Sequence, residues 1–91
     1  MLTVWKYPLY TEDYFSLSLP SGSEILTVQM QHGSPQIWAL VNPDNQEEER
    51  KFRLAGTGHN IEHAKEDMKY IGTFQLYDGD LIFHLFEMIP L

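Results

Sequence analysis

The chain has 91 residues, no cysteine, and a formal net charge of −7 from 6 basic and 13 acidic side chains. This length fits a single domain, and the lack of thiols excludes disulfide bonds and cysteine-ligated metal sites. The acidic balance disfavours nucleic acid and anionic membranes, which attract clustered lysine and arginine, but is compatible with a basic partner protein.

Apolar and polar residues alternate with period two along most of the chain, which is typical of half-buried strands. Turn-forming residues separate these runs, the last turn being Asp78-Gly79-Asp80. Such a pattern predicts an all-β fold of residues 1–91, a small sandwich or barrel of short, mainly antiparallel strands. The seven predicted strands lie near residues 2–8, 13–19, 24–31, 36–42, 49–56, 70–77 and 80–88.

Two of the predicted strands are apolar on both faces, Gln36–Val41 and Leu81–Phe86. Such a strand lies either between two layers of structure or at a subunit interface. Both interpretations stay open, so a homo-oligomer is one expectation. The apolar stretch 81–91 is too short to cross a membrane, which needs about 20 apolar residues, and the first residues are not a secretion signal. We therefore expect a cytoplasmic protein.

The segment between the fifth and sixth predicted strands contains the only helix-like pattern. Asn60 can cap a helix, with Ile61, Ala64 and Met68 along one side. This spacing predicts about two helical turns packed on the sheet. Upstream, the acidic run Glu47, Glu48 and Glu49 is interpreted as a solvated loop before the fifth strand.

Residues 59–63 match the H-x-x-E-H pattern of one class of zinc peptidases. Those enzymes place the motif on a long buried helix and take a further ligand from a much longer chain. Here it follows a glycine-rich turn, and only 28 residues remain after His63. The sequence therefore predicts no enzyme and no cofactor, with adventitious metal binding by His59 and His63 as the weaker alternative.

The turn Gly56-Thr57-Gly58 can present backbone N–H groups to an anion. It lacks the Lys-Ser or Lys-Thr ending of a phosphate-binding loop, and the simpler interpretation is that glycine permits a positive φ where a strand ends. Together with Arg53 and His59, the turn is a candidate phosphate site for a nucleotide ligand.

Aromatic residues form 13% of the chain. Aromatic side chains that lie on a sheet face outside the hydrophobic core are typical of interfaces. Because lysine and arginine are not interleaved with them, they favour a protein or small-ligand contact over nucleic acid. The candidate partner-binding residues are Trp5 and Tyr7 with the acidic run Glu47, Glu48 and Glu49.

Five segments resemble, in the same order, a family of short uncharacterised phage and prophage proteins classed as a domain of unknown function. They are Val4–Leu9, Trp38–Val41, Phe52–His59, Tyr70–Leu76 and Phe83–Glu87. The resemblance implies a phage setting and supplies no catalytic residues. In that setting we expect a small accessory protein of the host cytoplasm that binds a host or phage protein, such as a host defence protein that it inhibits. The alternatives are a nucleotide-binding or sequestering protein and a component of the virion or its assembly.

Overall fold

A computed structural model describes residues 1–89 and forms seven β-strands within them. All seven predicted strands are confirmed, with boundaries that agree within two residues. The final residues of the apolar stretch, Pro90 and Leu91, lie outside the described part of the chain. The strands are β1 (Thr3–Pro8), β2 (Tyr14–Pro20), β3 (Glu24–Gln31), β4 (Ser34–Val41), β5 (Glu47–Gly56), β6 (Met68–Leu76) and β7 (Leu81–Met88).

The strands form two antiparallel sheets, which confirms the all-β prediction and makes the fold a sandwich. The smaller sheet has the order β1-β4-β3 and the larger one the order β2-β5-β7-β6. A two-residue turn at His32 and Gly33, both with positive φ, closes the β3–β4 hairpin, as turns of this type require. Residues 77–80 close the β6–β7 hairpin, at the predicted Asp78-Gly79-Asp80 turn.

Both sheets contribute to one hydrophobic core. Along β4, every second side chain is buried, including Ile37, Ala39 and Val41, because successive side chains of a strand point to opposite faces. The larger sheet contributes fully buried Phe52 and Leu85. This burial, at roughly 25 cal/mol per Å² of apolar surface, is the main stabilising contribution of the fold.

The two strands with apolar residues on both faces have different surroundings. At the end of the β5–β7 pairing, the N–H of Thr57 donates to the carbonyl of Ile82 at 3.2 Å. The side chain of His84, on the second face of β7, is half-buried and hydrogen-bonded to Thr57 and Thr73. The second face of β7 therefore carries a hydrogen-bonded histidine and Ile82, which is 36% exposed, whereas the second face of β4, with Trp38, points away from the core.

The predicted helix over Asn60–Asp67 is wrong. The connection is mainly irregular, and only Lys65–Asp67 form a single 3₁₀ turn after the extended residue Ala64. A two-turn helix depends on packing, and here the guanidinium of Arg53 instead binds the carbonyl of Asn60 and holds this part of the connection against the sheet. None of the helical segments within residues 1–89 has the length and apolar character to cross a membrane.

Candidate partner-binding site

The two aromatic residues of β1 lie on its core-facing side. Trp5 is opposite Ala39 and Tyr7 is opposite Ile37, and both partners are fully buried. Tyr7 is half-buried against the core, whereas Trp5 keeps 40% of its surface exposed. Trp5 is therefore the aromatic side chain of β1 that a partner can reach.

The opposite face of β1 is also apolar at its beginning. Val4 is 50% exposed and pairs with Leu40 of β4, and the preceding Leu2 is 62% exposed. Further along, the ammonium of Lys6 lies 5.9 Å from the centre of the Trp38 ring and donates to the side chain of Gln31. We call Leu2, Val4, Trp5, Tyr7 and Leu40 the β1 surface.

The acidic run belongs to a strand, which corrects the prediction of a loop. Glu47, Glu48 and Glu49 are the first residues of β5, and all three are exposed. Partial burial raises the pKa of the Tyr7 phenol, and the negative charge of Glu47 adds to this effect. Glu48 instead accepts a hydrogen bond from the N–H of Gly22 and lies 3.7 Å from Arg50.

Arg53 is buried by the β5–β6 connection, with only 5% of its surface exposed. Its guanidinium donates to the carbonyls of Leu54 and Asn60 and lies 4.9 Å from the centre of the Tyr14 ring. Its Nε is 3.6 Å from a carboxylate oxygen of Glu62. These contacts fix the connection on the sheet and leave little of the guanidinium for a phosphate.

The glycine-rich turn ends β5 with a glycine of positive φ, as the simpler interpretation of this turn predicts. Gly58 has φ +86°, and the N–H of His59 donates to the carbonyl of Gly56 at 3.1 Å. The imidazole of His59 lies against Gly56, so close that a Cβ there would be 3.0 Å from the ring. Thr57 and His59 line a shallow pocket of about 230 Å³ with residues 80–83. This pocket does not include Arg53, so the structure separates the candidate phosphate-binding residues.

The H-x-x-E-H residues do not form a helix, which the zinc chemistry of that pattern requires. His63 lies 2.8 Å from the hydroxyl of Tyr14, and the same hydroxyl donates to Glu62. His59 lines the pocket next to Thr57, whereas His63 lines a different one. Within residues 1–89, no three histidine or carboxylate side chains are grouped closely enough to hold a metal ion.

Sequence reasoning missed Tyr14 and the pocket beside it. A depression of about 360 Å³ on the larger sheet is lined by Tyr14, Phe15, Ser16, Lys51, Phe52, His63 and Met88. Its lining is mainly apolar, and Lys51 and His63 are among the lining residues. No sequence pattern signals this site, because its residues come from four separate segments.

Comparison with known proteins identifies the family of this chain. A family model described as a domain of unknown function (DUF7352) matches residues 1–90. No curated protein and no solved structure matches the chain. Since the family model covers nearly the whole chain, this protein belongs to the DUF7352 family.

Proposed function

We propose that this member of the DUF7352 family is a small phage-type accessory protein that acts by binding another protein. The resemblance of its segments to short phage and prophage proteins supports this setting. In it, the partner is a host protein of the cytoplasm, such as a defence protein, and binding inhibits that partner. The charge of the chain supports a partner with a basic surface.

The β1 surface carries the proposal. It presents exposed apolar side chains on both faces of one edge strand, Val4 and Trp5. The exposed acidic run at the start of β5 supplies negative charge elsewhere on the chain. Exposed apolar residues are typical of the centre of a protein interface. A tryptophan at such a position is the residue most often responsible for a large share of binding energy.

A tagged pull-down from host lysate, with bound proteins identified by mass spectrometry, tests this function. We expect one enriched protein that is lost with Trp5→Ala and weakened by Glu47→Gln combined with Glu49→Gln. Glu48 is left in place because it contacts Gly22 and Arg50. The matched control is Tyr77→Ala, since this side chain is 73% exposed but lies in the distant β6–β7 turn.

Added salt separates electrostatic from apolar binding. Because the charges of the acidic run are exposed, salt screens them, and we expect affinity for the captured protein to fall steeply with ionic strength. A preparation that enriches no host protein would overturn the proposed function. An affinity that salt leaves unchanged would overturn only the role of the acidic run.

A small-ligand function is the second candidate, and the pocket lined by Lys51 and His63 favours it. Its volume of about 360 Å³ lies in the range of small-molecule sites, and its mainly apolar lining suits an aromatic group. The ammonium of Lys51 then meets an anionic group of the ligand. A panel of nucleotides in a thermal-shift assay tests this candidate, with Lys51→Ala as the control. No rise in melting temperature for any nucleotide would exclude a nucleotide ligand.

A further inference from the structure

The free edge of β1 exposes backbone hydrogen-bonding groups. Among residues 1–89, β1 pairs with β4 alone, and Leu9 donates its N–H to the carbonyl of Pro35 at 3.1 Å. Hydrogen-bonded pairs recur at every second residue of an antiparallel ladder, so Tyr7 also directs its backbone groups at β4. Val4 and Lys6 therefore direct their N–H and C=O groups away from the sheet.

The edge strands on the other side of the sandwich contain β-bulges, whereas β1 contains none. The register of β3 shifts between Ile25 and Thr27, that of β6 shifts between Tyr70 and Gly72, and these two strands pack against each other. Bulges and mutual covering are common means of preventing an edge strand from pairing with another chain. The pairing of β1 is regular from Thr3 to Pro8, so this edge remains open for an added strand.

The side chains that flank this edge distinguish β1 from β2, the other regular edge strand. The solvent-facing side of β2 contains Ser16, Ser18 and Tyr14, whose hydroxyl is already bonded to Glu62 and His63. On β1, Val4 is exposed on one face and Trp5 on the other. A strand added to β1 would bury apolar surface on both faces while its backbone pairs with Val4 and Lys6. Strand addition depends on these two contributions, the backbone hydrogen bonds and the burial of side chains.

We propose that the β1 edge binds an extended segment of a partner protein, as an added strand in which apolar residues alternate with lysine or arginine. This inference rests on the protein-binding function proposed above and specifies how the partner binds. The net charge of −7 favours basic residues in the added strand. A second copy of this chain is disfavoured, because both copies carry a net charge of −7.

Selection from a random library of short peptides on the immobilised protein tests the inference. We expect the enriched peptides to alternate apolar with basic residues. Val4→Pro removes an outward N–H without breaking a bond to β4, and proline is tolerated at such edge positions. The enriched peptides should bind Val4→Pro about tenfold or more weakly than the wild type. Val4→Thr, which keeps the N–H and the branched shape, should bind within about threefold.

Hydrogen exchange on the wild-type chain provides a second test that does not depend on the folding of Val4→Pro. In the free protein, the amides of Val4 and Lys6 should exchange faster than those of Trp5 and Tyr7. Adding an enriched peptide should slow exchange at Val4 and Lys6. This pattern is specific to strand addition, since a peptide bound to a sheet face leaves the outward amides exposed.

Three outcomes would overturn the inference. Enriched peptides without period-two alternation, or unchanged exchange at Val4 and Lys6, would show that partners do not add a strand here. Neither result affects the protein-binding function, which fails only if the pull-down captures no protein. Slow exchange at both amides in a peptide-free dimer would show instead that a second copy occupies the edge.

Discussion

The hydroxyl of Tyr14 connects the larger sheet to the β5–β6 connection. It donates to the carboxylate of Glu62 and lies 2.8 Å from Nε2 of His63. The hydrogen bond from Tyr14 lowers the pKa of Glu62, and the same bond raises the pKa of Tyr14. Because the folded pKa of Glu62 is depressed, its contribution to stability is present at neutral pH. This contribution is lost as the pH falls through that folded pKa.

Removing this hydroxyl should change the titration of Glu62. In Tyr14→Phe we expect the pKa of Glu62 to rise toward its ordinary value of about 4.3, because its largest stabilising contact is gone. Carbon-detected NMR titration of the side-chain carboxyl measures this. Tyr10→Phe, at an exposed tyrosine in the β1–β2 loop, serves as the control. An unchanged titration curve in Tyr14→Phe would contradict the assigned hydrogen bond.

Arg50 forms the main ion pair between the strands of the larger sheet. Its Nε and Nη2 both donate to the carboxylate of Glu87 on β7, and Nη1 donates to the carbonyl of Ser23 at 2.8 Å. Arg50 therefore connects β5 and β7 of the larger sheet to the residue that precedes β3 of the smaller sheet. Both side chains are mostly buried, so solvent screens them less than a surface pair.

Breaking this pair should destabilise the fold. Glu87→Gln leaves the guanidinium of Arg50 partly buried without its counter-charge, and we expect a loss of about 1–3 kcal/mol in the free energy of unfolding. Urea denaturation measures this loss. Glu49→Gln, at an exposed glutamate of β5, should change stability by less than about 0.5 kcal/mol. Equal effects of the two substitutions would show that Glu87 contributes only surface charge.

At the scale of elements, the close approach of β3 and β6 depends on one glycine. A Cβ at Gly72 would lie 2.8 Å from Cγ1 of Val28, closer than carbon atoms pack. Gly72 follows the register shift of β6, opposite Leu85 in the core. A side chain here would therefore push the two sheets apart on the side where the sandwich is closed.

Gly72→Ala should destabilise the protein by about 1–3 kcal/mol, because a packed core tolerates little added volume. Shortening the neighbour should reverse part of this loss. In a double-mutant cycle, Gly72→Ala should cost less in a Val28→Ala background than in the wild type. Chemical denaturation of the four variants gives the coupling energy. Strictly additive losses would mean that the clash with Val28 does not determine the role of this glycine.

At the scale of the whole molecule, two sheets share one small core. A chain of 91 residues has a free energy of unfolding of roughly 5–14 kcal/mol at the usual value per residue. Leu85 is fully buried in the central part of the larger sheet, so Leu85→Ala should cost about 2–5 kcal/mol. We expect a melting temperature well below that of the wild type. Leu81→Ala, at an exposed position of the same strand, is the control. A loss at Leu85 no larger than at Leu81 would contradict this core.

Much of the fold is local and was therefore predictable. Period-two alternation, short apolar runs and turn-forming residues all depend only on neighbouring residues, so together they located all seven strands. The residue type of the turn after β5 likewise predicted a positive φ, which Gly58 has. Local reasoning failed for Asn60–Asp67, since two helical turns are too weak to form without packing and Arg53 holds the segment in another conformation.

The candidate sites were less predictable, because their residues come together across long sequence separations. Composition indicated an acidic chain rich in aromatic residues, and the sequence by itself determined Trp5 and Tyr7 as candidate partner-binding residues. Only the tertiary structure decided that Arg53 is buried and that Tyr14 meets His63. It also decided that β1 lies at an open edge of its sheet. The order of strands depends on how strands pair and how the two sheets pack, and alternation within a single strand does not encode either.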